Sequence, residues 1–151
     1  MIKTDIQTLL ATTVDADIFT GVDQKNLEKI LSNQDVKHIT MKKGQYIYHH
    51  GDKAEKFWII ISGEIVAQVH SLRHPFHSLR YYPGDITGLR GIVDPGKPRP
   101  VSMITDSEVE LIEIPAAVIM AMDADVWGHV MANISKMLLD RLLECHNRLD
   151  H

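Results

Sequence analysis

The chain has 151 residues, 44% hydrophobic and 24% charged, which fits one globular domain around a single core and excludes a disordered chain. Sixteen Lys and Arg against twenty Asp and Glu leave a formal net charge of −4, so there is no global attraction to nucleic acid or an anionic membrane, only room for a local basic patch. The longest uncharged apolar runs, Phe57–Ile61 and Ala116–Met122, are far too short to span a bilayer, and the single Cys145 excludes an internal disulfide, an iron–sulfur cluster and a multi-cysteine zinc site.

Residues 1–34 read as a helical lead-in. Asp5 and Asp15 bracket a weakly apolar stretch, which argues against a secretory signal peptide, and the lone cysteine fits a reducing cytoplasmic location. Asp23 stands where it can cap a helix whose Leu27, Ile30 and Leu31 recur at helical spacing, and Phe19 just ahead can pack back onto the core. Between residues 35 and 114 the period changes to short β-branched and aromatic runs: Val36–Thr40, Gln45–Tyr48, Phe57–Ile61, Glu64–Val69, Leu79–Tyr82, Val101–Ile104 and Val109–Ile114. Turn signals separate them at Lys43-Gly44, Gly51-Asp52, Ser62-Gly63, Pro83-Gly84-Asp85 and Pro95-Gly96. Many short strands with regular turns predict a mainly β core, a sandwich or a barrel-like jelly roll.

From 115 to 151 the pattern is helical again. Pro115 can open a short helix, and Asp123 or Asp125 can cap the long one that follows. Trp127, Met131, Ile134, Leu138, Leu142, Cys145 and Leu149 follow the spacing of a coiled-coil seam, with Val130, Met137 and Leu143 off it. Two readings are open: one broad face packed on the β core, or one stripe on the core and the other on the same helix of a second copy. Dimerisation through Met131, Ile134, Leu138, Leu142, Cys145 and Leu149 is the favoured expectation, because the helix end (Arg141–His151) extends past what one small barrel covers.

The glycine spacing carries a family resemblance. The stretch MKKGQYIYHHGDKAEKFWIIISGEIVAQV, with Gly44, Gly51-Asp52, Trp58-Ile59 and Ser62-Gly63 in order, resembles the first half of a cyclic-nucleotide-binding domain of the catabolite-activator and fumarate-nitrate-regulator (Crp/Fnr) type. The likeness continues through Pro83-Gly84-Asp85 and IPAAVIMAM into the long helix. It implies an antiparallel β-roll, a double-stranded β-helix, with N-terminal helices and a long C-terminal helix. It also implies a sensor or regulatory module in transcriptional or signalling control, with a small anionic ligand such as cyclic AMP or cyclic GMP and no other cofactor.

In that family the ligand lies under a phosphate-binding cassette, which the resemblance places on TGLRGIVDPGKPRPVSM. Gly88, Leu89, Arg90, Gly91, Arg99, Pro100 and Val101 are the implied site residues. Arg99 matches the arginine that pairs with the cyclic phosphate, a role suited to its planar two-pronged fork, and backbone N–H groups after Gly88 would add an anion-binding nest. Leu89 stands where the family has a glutamate for the ribose hydroxyl, and Pro100 where it has a hydroxyl residue. Losing such a buried hydrogen-bond pair costs about 1–3 kcal/mol, so ribose recognition of the usual kind is expected to be weaker. Arg90 is an extra cation, either favouring a more anionic ligand or simply solvated.

Nine histidines invite a metal hypothesis. Adjacent His49 and His50 on a strand would point to opposite faces, and His70, His74 and His77 flank a Pro-containing hairpin tip. Gly44, His50, Asp52, Glu55 and Gly63 resemble a degraded cupin motif in which Asp52 stands for the second histidine and the third has no place, and His77 lies in the region where haem sensors of the wider family place a ligand. No metal site is expected. No G-x-S-x-G elbow, Walker loop or paired-carboxylate motif is present, so no catalytic residue is assigned and the chain is not expected to be an enzyme. Proteins of the resembled family carry a helix-turn-helix after the long helix. This sequence ends at His151 without one, so no direct DNA binding and no membrane contact are expected, while a protein partner remains open. The alternatives are a ligand-free interaction scaffold with a degenerate pocket, filled by side chains such as Leu89, and a cupin-like metalloprotein.

Overall fold

The computed structural model of the chain describes residues 16–68 and 79–149 together with Thr8, and side chains as far as Glu144. The helical reading of residues 1–15, Val69, the histidines His70, His74 and His77, and the side chains of Cys145 and Leu149 lie outside the described residues.

A 3-10 turn (Asp17–Phe19) leads into α1 (Gln24–Leu31), whose first turn is capped as anticipated: the Asn26 N–H donates to Asp23 Oδ1 at 2.8 Å. Eight strands follow among the described residues: β1 (Lys37–Met41), β2 (Tyr46–Tyr48), β3 (Lys56–Ser62), β4 (Ile65–Gln68), β5 (Arg80–Tyr81), β6 (Ile86–Thr87), β7 (Ser102–Thr105) and β8 (Val109–Pro115). The short α2 (Arg90–Val93) lies between β6 and β7, and α3 (Ala116–Met120) and the long α4 (Ala124–Leu149) close the chain. The strands form two antiparallel sheets, ordered β1-β8-β3-β6 and β2-β7-β4-β5, the β-roll expected. The seven predicted strands are present with shifted ends. The eighth, β6, has two residues, too few for any period to register.

The uninterrupted run Phe57–Ile60 has a simple cause: β3 is buried on both faces. Phe57 and Ile59 face the helices with Ile112 and Ile114, whereas Trp58 and Ile60 face the other sheet with Leu111, Ile65 and Met103. Two cores result, one inside the roll and one between the first sheet and the helices. Asn133 on α4 fastens the N-terminal turn to the second core, its side-chain amide donating to the Ile18 and Thr20 carbonyls at 2.9 and 2.8 Å.

The long helix corrects the seam read from the sequence. Val126, Val130 and Ile134 are each at most 1% exposed and belong to the helix-side core, with Met131 and Met137 partly buried against it. Ile134, placed on the dimer seam, is thus enclosed by its own chain, and Val130 and Met137, placed off it, face the roll. A straight helix keeps one side against the roll at a period of 3.6, so the 4-4-3 run Val126, Val130, Ile134 and Met137 stays inward while the 3.5-residue seam drifts off it. Leu138, Leu139, Leu142 and Leu143 are left exposed.

The turn glycines differ in what they tolerate. Gly44 and Gly63 both have positive φ, +85° and +86°, but a Cβ on Gly44 meets nothing, whereas one on Gly63 would strike the Glu108 carbonyl and lie 2.6 Å from Val109 Cγ1. Gly44→Ala is therefore expected to cost about 1 kcal/mol, and Gly63→Ala about 3 kcal/mol or more, in urea unfolding. Equal losses would show that the Glu108 approach does not constrain the turn.

Candidate ligand site

Between β6 and β7 the chain leaves the roll and returns, carrying every residue the sequence assigned to the ligand site. Gly88 turns it at φ +85°, and α2 is pressed so closely onto β3 that a Cβ on Gly91 would run into the Lys56 backbone. Arg99 then points back under this segment. It is 3% exposed, its Nη1 donates to the Gly88 carbonyl at 3.0 Å and its Nη2 to the Lys56 carbonyl at 2.6 Å. The guanidinium carbon lies 4.3 Å from the centre of the Tyr48 ring and 5.4 Å from that of Trp58.

The two rings are stacked with centroids 5.4 Å apart, and each has its polar end met. The Tyr48 hydroxyl shares a 3.0 Å hydrogen bond with Thr87 Oγ1, and Trp58 Nε1 donates to Glu113 Oε1 at 3.1 Å, while Glu113 Oε2 lies 3.5 Å from Lys56 Nζ. Among the described residues no carboxylate lies in ion-pair contact with Arg99. Burial lowers its pKa from the ordinary guanidinium value, and burial raises that of the Tyr48 phenol. The backbone is held as well: the Arg99 N–H donates to the Asp52 carbonyl at 2.7 Å, and the Gly51 N–H to the Arg99 carbonyl at 2.8 Å. An anion seeking this fork must compete with two backbone carbonyls.

The other sequence-assigned residues are dispersed. Arg90 is exposed and paired with Asp94 at 3.4 Å, Pro100 is exposed, and Val101 is half-buried against the inner core. Gly88 and Leu89 instead border a cavity of about 680 Å³ that lies between this segment, residues 79–86 and α4. Its α4 wall is Met137, Leu138, Asp140, Arg141, Leu142 and Glu144. Arg141 was not singled out in the sequence, where it reads as one charged position of a helix. In the fold its guanidinium carbon sits 4.1 Å from the centre of the Tyr81 ring and its Nη2 lies 3.5 Å from Asp85 Oδ2. Leu138 and Leu142, assigned to a dimer seam, are exposed and line the cavity. Among the described residues no group of three or more His, Cys, Asp or Glu is placed to hold a metal. His49 lies against Tyr46 and 3.7 Å from Asp52, and Glu55 pairs with Lys53.

A family model of the cyclic nucleotide-binding domain matches residues 38–124. No curated protein matches the chain in sequence. The sensor domain of the transcriptional regulator DNR from Pseudomonas aeruginosa superposes with a TM-score of 0.71 at 12% identity, over 97% of this chain and 94% of that one. The Thermus thermophilus catabolite activator protein gives 0.70 at 22% identity, over 89% of this chain and 62% of that one. The regulatory domain of Toxoplasma gondii PKA, crystallised with cAMP, gives 0.72 at 18% identity, over 89% and 50%. At these identities the likeness is one of fold.

Arg99 has a structural task beside any ligand task. Arg99→Met keeps the apolar stem but leaves the Gly88 and Lys56 carbonyls without their donors, and is expected to cost about 2–4 kcal/mol in urea unfolding. A loss below about 0.5 kcal/mol would mean that water replaces the fork.

Proposed function

Because the chain belongs to the cyclic nucleotide-binding domain family, we propose that it is a non-catalytic regulatory module that binds a small anionic ligand, with a cyclic nucleotide as the first candidate. The observation that carries this reading is the cavity of about 680 Å³ bordered at once by Gly88, Leu89 and the long helix. Its volume falls within the range of small-molecule sites. A ligand there touches both the segment that Arg99 holds and the helix that would transmit a shift. Its anionic end would draw the Arg99 fork away from the Gly88 carbonyl, freeing residues 88–93 to move against α4 and biasing a two-state arrangement. Val101 and Pro100 flank Arg99 in this reading, and Arg90 remains a solvated charge beside it.

The module would pair with a second copy through α4. Leu138, Leu139, Leu142 and Leu143 are 45–65% exposed and form an apolar surface, and Cys145 and Leu149 join the proposed interface by sequence spacing alone. Met131 borders it, and Ile134 does not contribute. No helix of the described residues is long and apolar enough to cross a membrane. We assign no DNA contact to these residues, whose chain carries a net charge of −4, and we place the module in the cytoplasm. A second reading, a ligand-free interaction scaffold, is favoured by one observation: Tyr48, Trp58 and Arg99, all under 9% exposed, already pack against one another.

Calorimetric titration with cyclic AMP and cyclic GMP near physiological salt separates the two. The expected result is a Kd in the micromolar range for at least one nucleotide, weakened at least tenfold by Arg99→Lys, which keeps the charge and loses the fork. Absence of heat with both would favour the scaffold. Leu142→Glu is expected to give a monomer by light scattering, and a dimer that survives it would remove α4 from the interface.

A further inference from the structure

Among the described residues Glu113 is the one carboxylate that the fold buries. A carboxylate taken out of water costs stability unless its oxygens are met. Glu113 stands on β8 directly opposite Trp58 on β3, where the side chains of an antiparallel pair share a face. Both of its oxygens are engaged: Oε1 accepts from Trp58 Nε1 at 3.1 Å, and Oε2 lies 3.5 Å from Lys56 Nζ. Lys56, two residues before Trp58 and on the same face of β3, serves a second time, because its carbonyl accepts from Arg99 Nη2 at 2.6 Å. The contacts form a closed circuit, from Glu113 to Trp58, on to Arg99, then to Lys56 and back to Glu113.

Packing alone does not ask for a carboxylate here, since an apolar side chain would fill the place without the cost of desolvation. What the carboxylate adds is orientation: an indole whose N–H is bonded to a fixed acceptor on a strand is held at one angle. The Trp58 ring centre lies 5.4 Å from that of Tyr48 and 5.4 Å from the guanidinium carbon of Arg99, which is itself 4.3 Å from the Tyr48 centre. The same ring abuts Gly88, where a Cβ would lie 2.8 Å from it. Turning the indole would therefore disturb both the fork and the turn whose carbonyl the fork holds. We propose that Glu113 is a positioning residue that, through the Trp58 indole, fixes where the Arg99 fork stands and so how well it meets the anionic end of a ligand. This rests on the reading of Arg99 as the partner of that anion. Glu113 is not among the residues that border the cavity, so its effect on binding would pass through Trp58 and Arg99.

The test reads binding and the state of the indole separately, on the full chain. In titration with cyclic AMP, Glu113→Leu is expected to weaken binding about tenfold, while Glu113→Gln, which keeps an acceptor for the indole, stays within about threefold of the unaltered chain. With the fork removed by Arg99→Lys, adding Glu113→Leu is expected to change the affinity by less than about twofold. No loss in Glu113→Leu, equal losses in the Leu and Gln variants, or the full loss in the Arg99→Lys background would each overturn the assignment. Without ligand, the Trp58 indole N–H signal in a nitrogen–proton NMR spectrum is the one that Trp127→Phe leaves in place, since the chain has two tryptophans. It is expected to move in both Glu113→Leu and Arg99→Lys, and a signal unmoved by Arg99→Lys would show that ring and fork are uncoupled, which also overturns the assignment. If neither cyclic AMP nor cyclic GMP binds the unaltered chain while the indole signal still moves, the reading of the ligand site fails and Glu113 stands as the residue that positions Arg99.

Discussion

A guanidinium stays charged at any pH a protein meets, so burying one obliges the fold to meet its donors on all sides. Arg99 is enclosed under the 86–101 segment, and its neighbourhood is organised around that obligation. Its fork takes the carbonyls of Gly88 and Lys56, which ties the connection after β6 to the start of β3. The rings of Tyr48 and Trp58 cover its plane, and their polar ends are met in turn by Thr87 and Glu113. Gly88 has no room for a side chain, since a Cβ there would lie 2.8 Å from the Trp58 ring and 3.2 Å from Arg99 Nη1. One residue therefore links both sheets, the Gly88 turn that leads into α2 and, through its own backbone, the Gly51-Asp52 turn.

The long helix divides its work by face. Its first three turns present apolar residues to the first sheet, and Asn133 and the ring of His129 hold the N-terminal turn, where His129 Cδ2 occupies the place a Cβ on Gly21 would take. Past Ile134 the side toward the cavity is mixed, with Met137, Leu138 and Leu142 beside Asp140, Arg141 and Glu144, while Leu139 and Leu143 are exposed. Leu138 and Leu142 stand at the edge of both surfaces. In the proposed reading, a ligand in the cavity and a second copy on the outer leucines would both touch these two side chains, a shared contact through which one event would influence the other.

The turns were legible because their requirement is local. Gly44, Gly51, Gly63, Gly84, Gly88 and Gly96 all adopt positive φ, a conformation that side chains resist and that glycine takes freely. The strands were legible where alternation or a doubly buried run extended over four residues or more, and β6 was not because it has two. The seam on α4 was misread at Ile134, which is buried within its own chain, whereas Val130 and Met137, read off the seam, do face the roll. Heptad spacing and helical spacing differ by a tenth of a residue per turn, and only contact with the roll shows which stripe is inward.

The sequence by itself determined the succession of short strands, the order of their turns and the cap at Asp23, which follow from backbone preferences and short-range periodicity, while the β-roll and the place of the 88–101 segment came from the family resemblance. Tertiary structure decided the state of Arg99 and the identity of the cavity wall. Nothing in the spacing of residues 48, 56, 58, 88 and 99 announces that they converge, and nothing marks Arg141 as the partner of Tyr81 and Asp85. Those contacts join residues 11 to 60 positions apart, and the packing of two sheets and one helix brings them together.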